Sequence, residues 1–98
     1  MFVNIINSYR YVVAICDEEL IGKTFEENNY QLHIKENFYK GEEKTSEEVK
    51  NIIKSMSVED ATFNIVGKKA INLAIETGLI NQNNVRRIAN IPYTMVLL

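Results

Sequence analysis

Apolar residues along the chain change their spacing from block to block. FVNIIN (2–7) and YVVAIC (11–16) are β-branched runs separated by SYR, which predicts a strand, a tight turn and a second strand. Residues 11–16 are apolar throughout rather than alternating, as expected of a strand covered on both faces or central in its sheet. YQLHIK (30–35) alternates, with Tyr30, Leu32 and Ile34 on one face and Gln31, His33 and Lys35 on the other. In KTSEEVKNIIKSM the spacing becomes helical. Thr45 and Glu48 stand as a capping box, and Val49, Ile52, Ile53 and Met56 form one stripe. A second helix is predicted from about Gly67 to Thr77, with Ala70, Ile71, Ala74 and Ile75 inward and Gly78 as the left-handed residue that ends it. After the polar loop NQNN, the segment VRRIANIPYTMVLL is apolar enough to need burial. Tyr93 to Leu98 is expected to be a last strand entered at Pro92. The pattern predicts an α+β fold: a mainly antiparallel sheet of four to five strands with two principal helices on one face.

Composition narrows this picture. Ninety-eight residues form a single domain, 1–98, and 46% hydrophobic with 24% charged residues is the balance of an ordinary globule. No apolar run reaches the roughly 20 residues of a membrane-spanning helix. MFVNIINSYR lacks the basic start of a signal peptide, and Cys16 is the lone cysteine, so a cytoplasmic protein is expected. The net charge of −2 argues against a dedicated nucleic-acid binder, yet it is unevenly spread. Residues 1–60 carry 7 Lys/Arg against 12 Asp/Glu, whereas residues 61–98 carry Lys68, Lys69, Arg86 and Arg87 against Glu76 alone. The C-terminal half is therefore the place to look for a basic face.

Candidate chemistry is sparse. Gly22-Lys23-Thr24 ends like a phosphate-binding loop, but Asp17 stands where the first glycine belongs and no helix follows. A better reading is one helical turn, DEEL, capped by Asp17 and stopped at Gly22. Gly67-Lys68-Lys69 opens a helix, where free N–H groups and two lysines could receive an anion; a plain turn into the helix is the blander reading. One cysteine and one histidine, His33, cannot make a four-ligand zinc site, and neither a catalytic set nor a cofactor motif is present. Cys16 reads as a buried small hydrophobe. The paired glutamates, adjacent in sequence, read as surface charge.

CDEELIGK, then FY with Gly41, then NIVGKKAINLAIETGLI and IANIPYTMV together resemble an archaeal family, domain of unknown function four-two-four. The resemblance spans nearly the whole chain. It implies a small α+β protein of the archaeal cytoplasm and places Gly22-Lys23 in the family's own motif. That family typically has histidine after the last proline and glutamine two residues later. Here Tyr93 and Met95 stand there, which argues against shared imidazole chemistry. Two functional readings follow. The first is a non-catalytic binding module for RNA or a protein of the translation machinery, using Lys68, Lys69, Arg86 and Arg87. The second is a small enzyme or ligand-binding protein using Cys16, Asp17 and Lys23. A homodimer is compatible with either, because an apolar C-terminal strand at a sheet edge would seek a partner.

Overall fold

The computed structural model describes residues 1–98. Strands β1 (Phe2–Asn7) and β2 (Tyr11–Cys16) form the expected hairpin, antiparallel from Phe2↔Cys16 to Asn7↔Tyr11. A 3-10 turn, Glu18–Leu20, leads to a second hairpin of β3 (Thr24–Glu27) and β4 (Tyr30–His33). A single helical turn α1 (Glu36–Tyr39) and the short β5 (Glu42–Glu43) bring the chain back beside β1. Helix α2 (Ser46–Val58) starts at the predicted capping box, with Glu48 N–H donating to Thr45 Oγ1 and Thr45 N–H to Glu48 Oε1. It crosses over to β6 (Thr62–Val66), which runs into α3 (Lys68–Glu76). Gly78 ends that helix at φ +83°, and Leu79 N–H reaches back to the Ala74 carbonyl at 3.1 Å. A 3-10 turn at Gln82–Asn84 precedes β7 (Arg86–Ile88) and β8 (Ile91–Leu97).

The main sheet has six strands in the order β5-β1-β2-β6-β8-β7. It is mainly antiparallel, as expected, but it has six strands rather than four to five and is mixed, with one parallel pair. The central pair β2–β6 is parallel, from Val12↔Thr62 to Cys16↔Val66. A parallel pair needs a long crossover, and the excursion through α2 supplies it. The β3–β4 ribbon forms a separate sheet of its own. The C-terminal apolar segment is two strands rather than one, turning at Ala89 and Asn90, both with positive φ.

Both principal helices pack on one face, as predicted. Val13, Ile15, Phe63 and Ile65 from the sheet meet Val49, Ile53, Ala70, Ile71 and Ala74 from the helices in one buried core. The Lys50–Glu76 ion pair, 3.0 Å, ties α2 to α3 at the surface. On the opposite face a smaller cluster of Cys16, Leu20, Ile34 and Val66 is covered by the β3–β4 ribbon and by Tyr39 of α1. Asn4 Nδ2 donating to the Phe38 carbonyl at 2.8 Å and Ala89 N–H donating to Glu27 at 2.8 Å fasten that cover. β2 is thus central and covered on both sides at its end, as its unbroken apolar run requires. No helix is long and apolar enough to cross a membrane.

Candidate binding groove and the buried carboxylate

Asp17 follows the last residue of β2 and is only 2% exposed. Its backbone N–H continues the parallel ladder to the Val66 carbonyl at 3.1 Å. Its carboxylate caps α3 instead of the DEEL turn: Oδ2 accepts from Lys69 N–H and Oδ1 from Ala70 N–H, each at 2.9 Å. The 3-10 turn at Glu18–Leu20 has no side-chain cap, which corrects the expected role of Asp17. Gly67 makes this possible. It holds φ +110°, and a β-carbon there would run into the Asp17 carboxyl group. Burial raises the Asp17 pKa, and the two N–H donors offset part of that rise.

The outer ends of adjacent parallel strands, next to a helix N-terminus, are where open α/β sheets receive anionic ligands. Here the protein's own carboxylate takes the N–H groups on which the Lys68-Lys69 anion reading relied. Both lysines are exposed. Lys68 lines a hollow of about 230 Å³ with Arg87, Asn72 and Gln82, whereas Lys69 sits over Asp17. Arg86 belongs to another hollow. The four basic residues therefore divide between two surfaces, as alternation along β7 demands of the two arginines.

The alternative trio does not meet in an open cavity. Cys16 is fully buried, its thiol donating to the Asp17 carbonyl at 3.0 Å, and burial pushes its pKa up to about 12. A thiol so placed is no nucleophile at neutral pH. Lys23 is exposed, and Cys16, Asp17 and Lys23 line none of the hollows at Leu32–Leu97, Ile53–Leu98, Asn7–Asp60, Lys68–Pro92 and Val3–Ile52. The Gly22-Lys23-Thr24 stretch makes no phosphate nest: Gly22 N–H donates to the Ile34 carbonyl at 2.9 Å, Lys23 N–H to that of Leu20 at 3.1 Å, and Thr24 opens a strand. No cluster of three or more His, Cys, Asp or Glu residues is arranged to hold a metal.

A hollow of about 830 Å³ wraps round the edge of β8 beyond β7, lined on the second face by Leu32, Tyr39, Asn64 and Tyr93 and on the helix side by Ile80, Thr94 and Val96. Register places Tyr93 beside Val66 and Met95 beside Asn64 on the second face. Tyr39 and Leu32 form one wall, and Arg86 stands across from Tyr93 on β7. The side chains of Asn64, Tyr39, Tyr93 and Arg86 make no hydrogen bond or ion pair within the molecule. Burial raises the Tyr39 pKa, with the nearby Cys16 adding to it. Only Arg86 was a sequence candidate. In a strand pattern Asn64 and Tyr93 carry no sign of a site, and only the sheet register together with the docking of α1 brings them to Tyr39.

The fold and this groove define a small α+β domain with a mixed sheet, helices on one face and a partly open second face. The chain belongs to the family described as Protein of unknown function (DUF424), which matches residues 6–98. Its fold is similar to that in the crystal structure of an uncharacterized conserved protein from Methanopyrus kandleri, at a TM-score of 0.84 and 24% identity, over 97% of this chain and 88% of that one. None of the curated proteins matches the chain.

Proposed function

We propose that the protein is a non-catalytic binding module of the cytoplasm that holds a single-stranded RNA segment, free or within the translation machinery, across the open second face of its sheet. The observation that carries this reading is the convergence of Tyr39, Tyr93, Asn64 and Arg86 on the second-face side of the hollow of about 830 Å³. Aromatic rings on an open sheet stack on bases, an amide reads a base edge, and a guanidinium takes a phosphate. The engagement of Cys16 and Asp17 inside the fold supports binding over catalysis. With one arginine in the groove and a net charge of −2, affinity is modest and falls steeply with salt.

Fluorescence anisotropy with a 12-nucleotide mixed-sequence RNA at low and moderate salt tests the reading. Tyr93→Ala is expected to weaken binding about 10-fold or more, the loss of one stacked base, and Arg86→Glu to do at least as much. Lys68→Glu/Lys69→Glu separates the two basic surfaces, because the groove reading expects it to change little. RNA binding lost in the lysine variant and kept in Tyr93→Ala would move the site to the α3 surface. No binding at low salt would sink the RNA reading altogether, and a nuclease-resistant partner in a pull-down would point to protein instead.

A further inference from the structure

Strand β8 outruns its outer neighbour. β7 covers Ile91 to Tyr93 and no further, since Arg86, its first residue, pairs with Tyr93. Gly67 N–H donates to the Pro92 carbonyl at 2.9 Å, which sets the phase of the ladder with β6. In an antiparallel pair the bonding direction alternates, so Pro92, Thr94 and Val96 bond toward β6 while Tyr93, Met95 and Leu97 turn outward. Beyond β7, the N–H and C=O groups of Met95 and Leu97 meet no strand, and no turn or loop bond reaches them.

This open edge is also apolar and unguarded. Met95 is 63% exposed, Leu97 70% and Leu98 44%. Edge strands are ordinarily blunted by lysine, proline or a bulge, and residues 94–98 contain no charged residue and no proline. The nearby rim carries Asn83 and Asn84, with Arg86 as its charge at the end of β7.

We propose that this edge pairs with the same edge of a second copy, joining two six-stranded sheets about a two-fold axis at Val96. The register is self-complementary. Met95 exchanges both backbone bonds with Leu97 of the second copy and Leu97 with its Met95, satisfying every outward group of the stretch. Residues directly opposite share a face, so Met95 and Leu97 of both copies form one apolar cluster on the groove side, while the two Val96 residues meet on the helix side. The pairing stretch 94–98 carries no charged side chain, so none is forced against its own copy there, although each chain is net negative. The join does not depend on the binding reading above, but Met95, Val96 and Leu97 also line the outer part of that hollow, so pairing would cover its rim and leave the Tyr39–Tyr93 side open. Because the overhang is short, the interface falls at the low end of the roughly 1,200–2,000 Å² typical of stable contacts. The dimer is therefore concentration-dependent.

Sedimentation of the intact chain from about 1 to 500 µM tests the assembly, the expected shift being from monomer to dimer within the range typical of small interfaces. Met95→Lys/Leu97→Lys should raise the dissociation constant at least 100-fold with the melting temperature unchanged, since both side chains face solvent in the monomer. Register is tested by Val96→Cys, whose thiols would face each other across the axis and form a disulfide-linked dimer on mild oxidation; Lys54→Cys on α2 should not. A wild-type monomer throughout, a dimer indifferent to the lysine substitutions, or equal cross-linking from both cysteines would each overturn the proposal. The first outcome would leave the edge for an extended peptide of another protein.

Discussion

At Asp17 a charged side chain gains its place through two backbone donors that are 52 and 53 residues away. Asp17→Ala would leave the buried Ala70 N–H and the part-buried Lys69 N–H unpaired, and should cost about 2–3 kcal/mol in chemical denaturation, a lost cap plus an orphaned donor. Gly67→Ala should cost at least 2 kcal/mol, because it combines left-handed strain with a clash against that carboxylate. The two changes should not add: with the carboxylate gone, the methyl group introduced by Gly67→Ala loses its two nearest obstacles and keeps only the β-carbon of residue 17, 2.7 Å away, so a double-mutant cycle should show coupling of about 1 kcal/mol. Strict additivity would mean that the two residues do not meet. Cys16 allows a pH prediction. Its folded pKa of about 12 lies above the unfolded value of 9.0. The neutral thiol's contribution is then complete below pH 9 and declines as pH rises toward 12. Stability should fall by up to about 1.4 kcal/mol per pH unit in that window, relative to Cys16→Ala, which has nothing to ionise. Parallel pH profiles for the two proteins would remove that account.

At the scale of elements, the β3–β4 ribbon and α1 rest on the sheet through a cluster of four buried residues, whereas α2 and α3 share a core of fourteen. The cover should therefore open well before global unfolding. Cys16 lies beneath it, so thiol labelling in native buffer should be slow, and its rate should report opening of the cover. Phe25→Ala, which thins the packing above the thiol, should speed labelling more than it lowers the melting temperature; equal effects would mean that the cover opens only with the whole molecule. Thr45→Ala should cost about 1 kcal/mol through the lost capping box. The first hairpin and both principal helices were legible because their signals are local: two apolar runs about a short polar turn, a Thr45–Glu48 box, a glycine at each end of α3. The β7–β8 turn was not, since Ala89 carries no sign that it adopts φ +50°, and only Asn90 hints at the left-handed region. Nor was the parallel β2–β6 pairing, because strand partnership across 50 residues leaves no periodicity to read. The same limit applies to the groove. Arg86 stands out as a charge, but Tyr39, Asn64 and Tyr93 are separated by at least 25 positions and come together only through the β6–β8 register and the docking of α1.

For the molecule as a whole, the seam between β2 and β6 divides the sheet into two halves that are each local in sequence. The β1–β2 hairpin closes over three residues, and β6, α3, β7 and β8 follow one another directly. Within the main sheet only this seam, fastened at its outer end by Asp17 reaching into α3, joins the early strands to the late ones. Bringing distant strands together carries the loop-closure cost before any contact repays it, so each half should gain partial order before the two meet. Asp17 then becomes a kinetic marker as well as a cap. Its removal should speed unfolding while leaving refolding almost unchanged, a φ-value near zero, whereas Ile5→Ala or Val13→Ala within the first hairpin should slow refolding. Refolding slowed by Asp17→Ala as much as its unfolding is hastened would mean that the molecule closes its seam first and builds its halves around it.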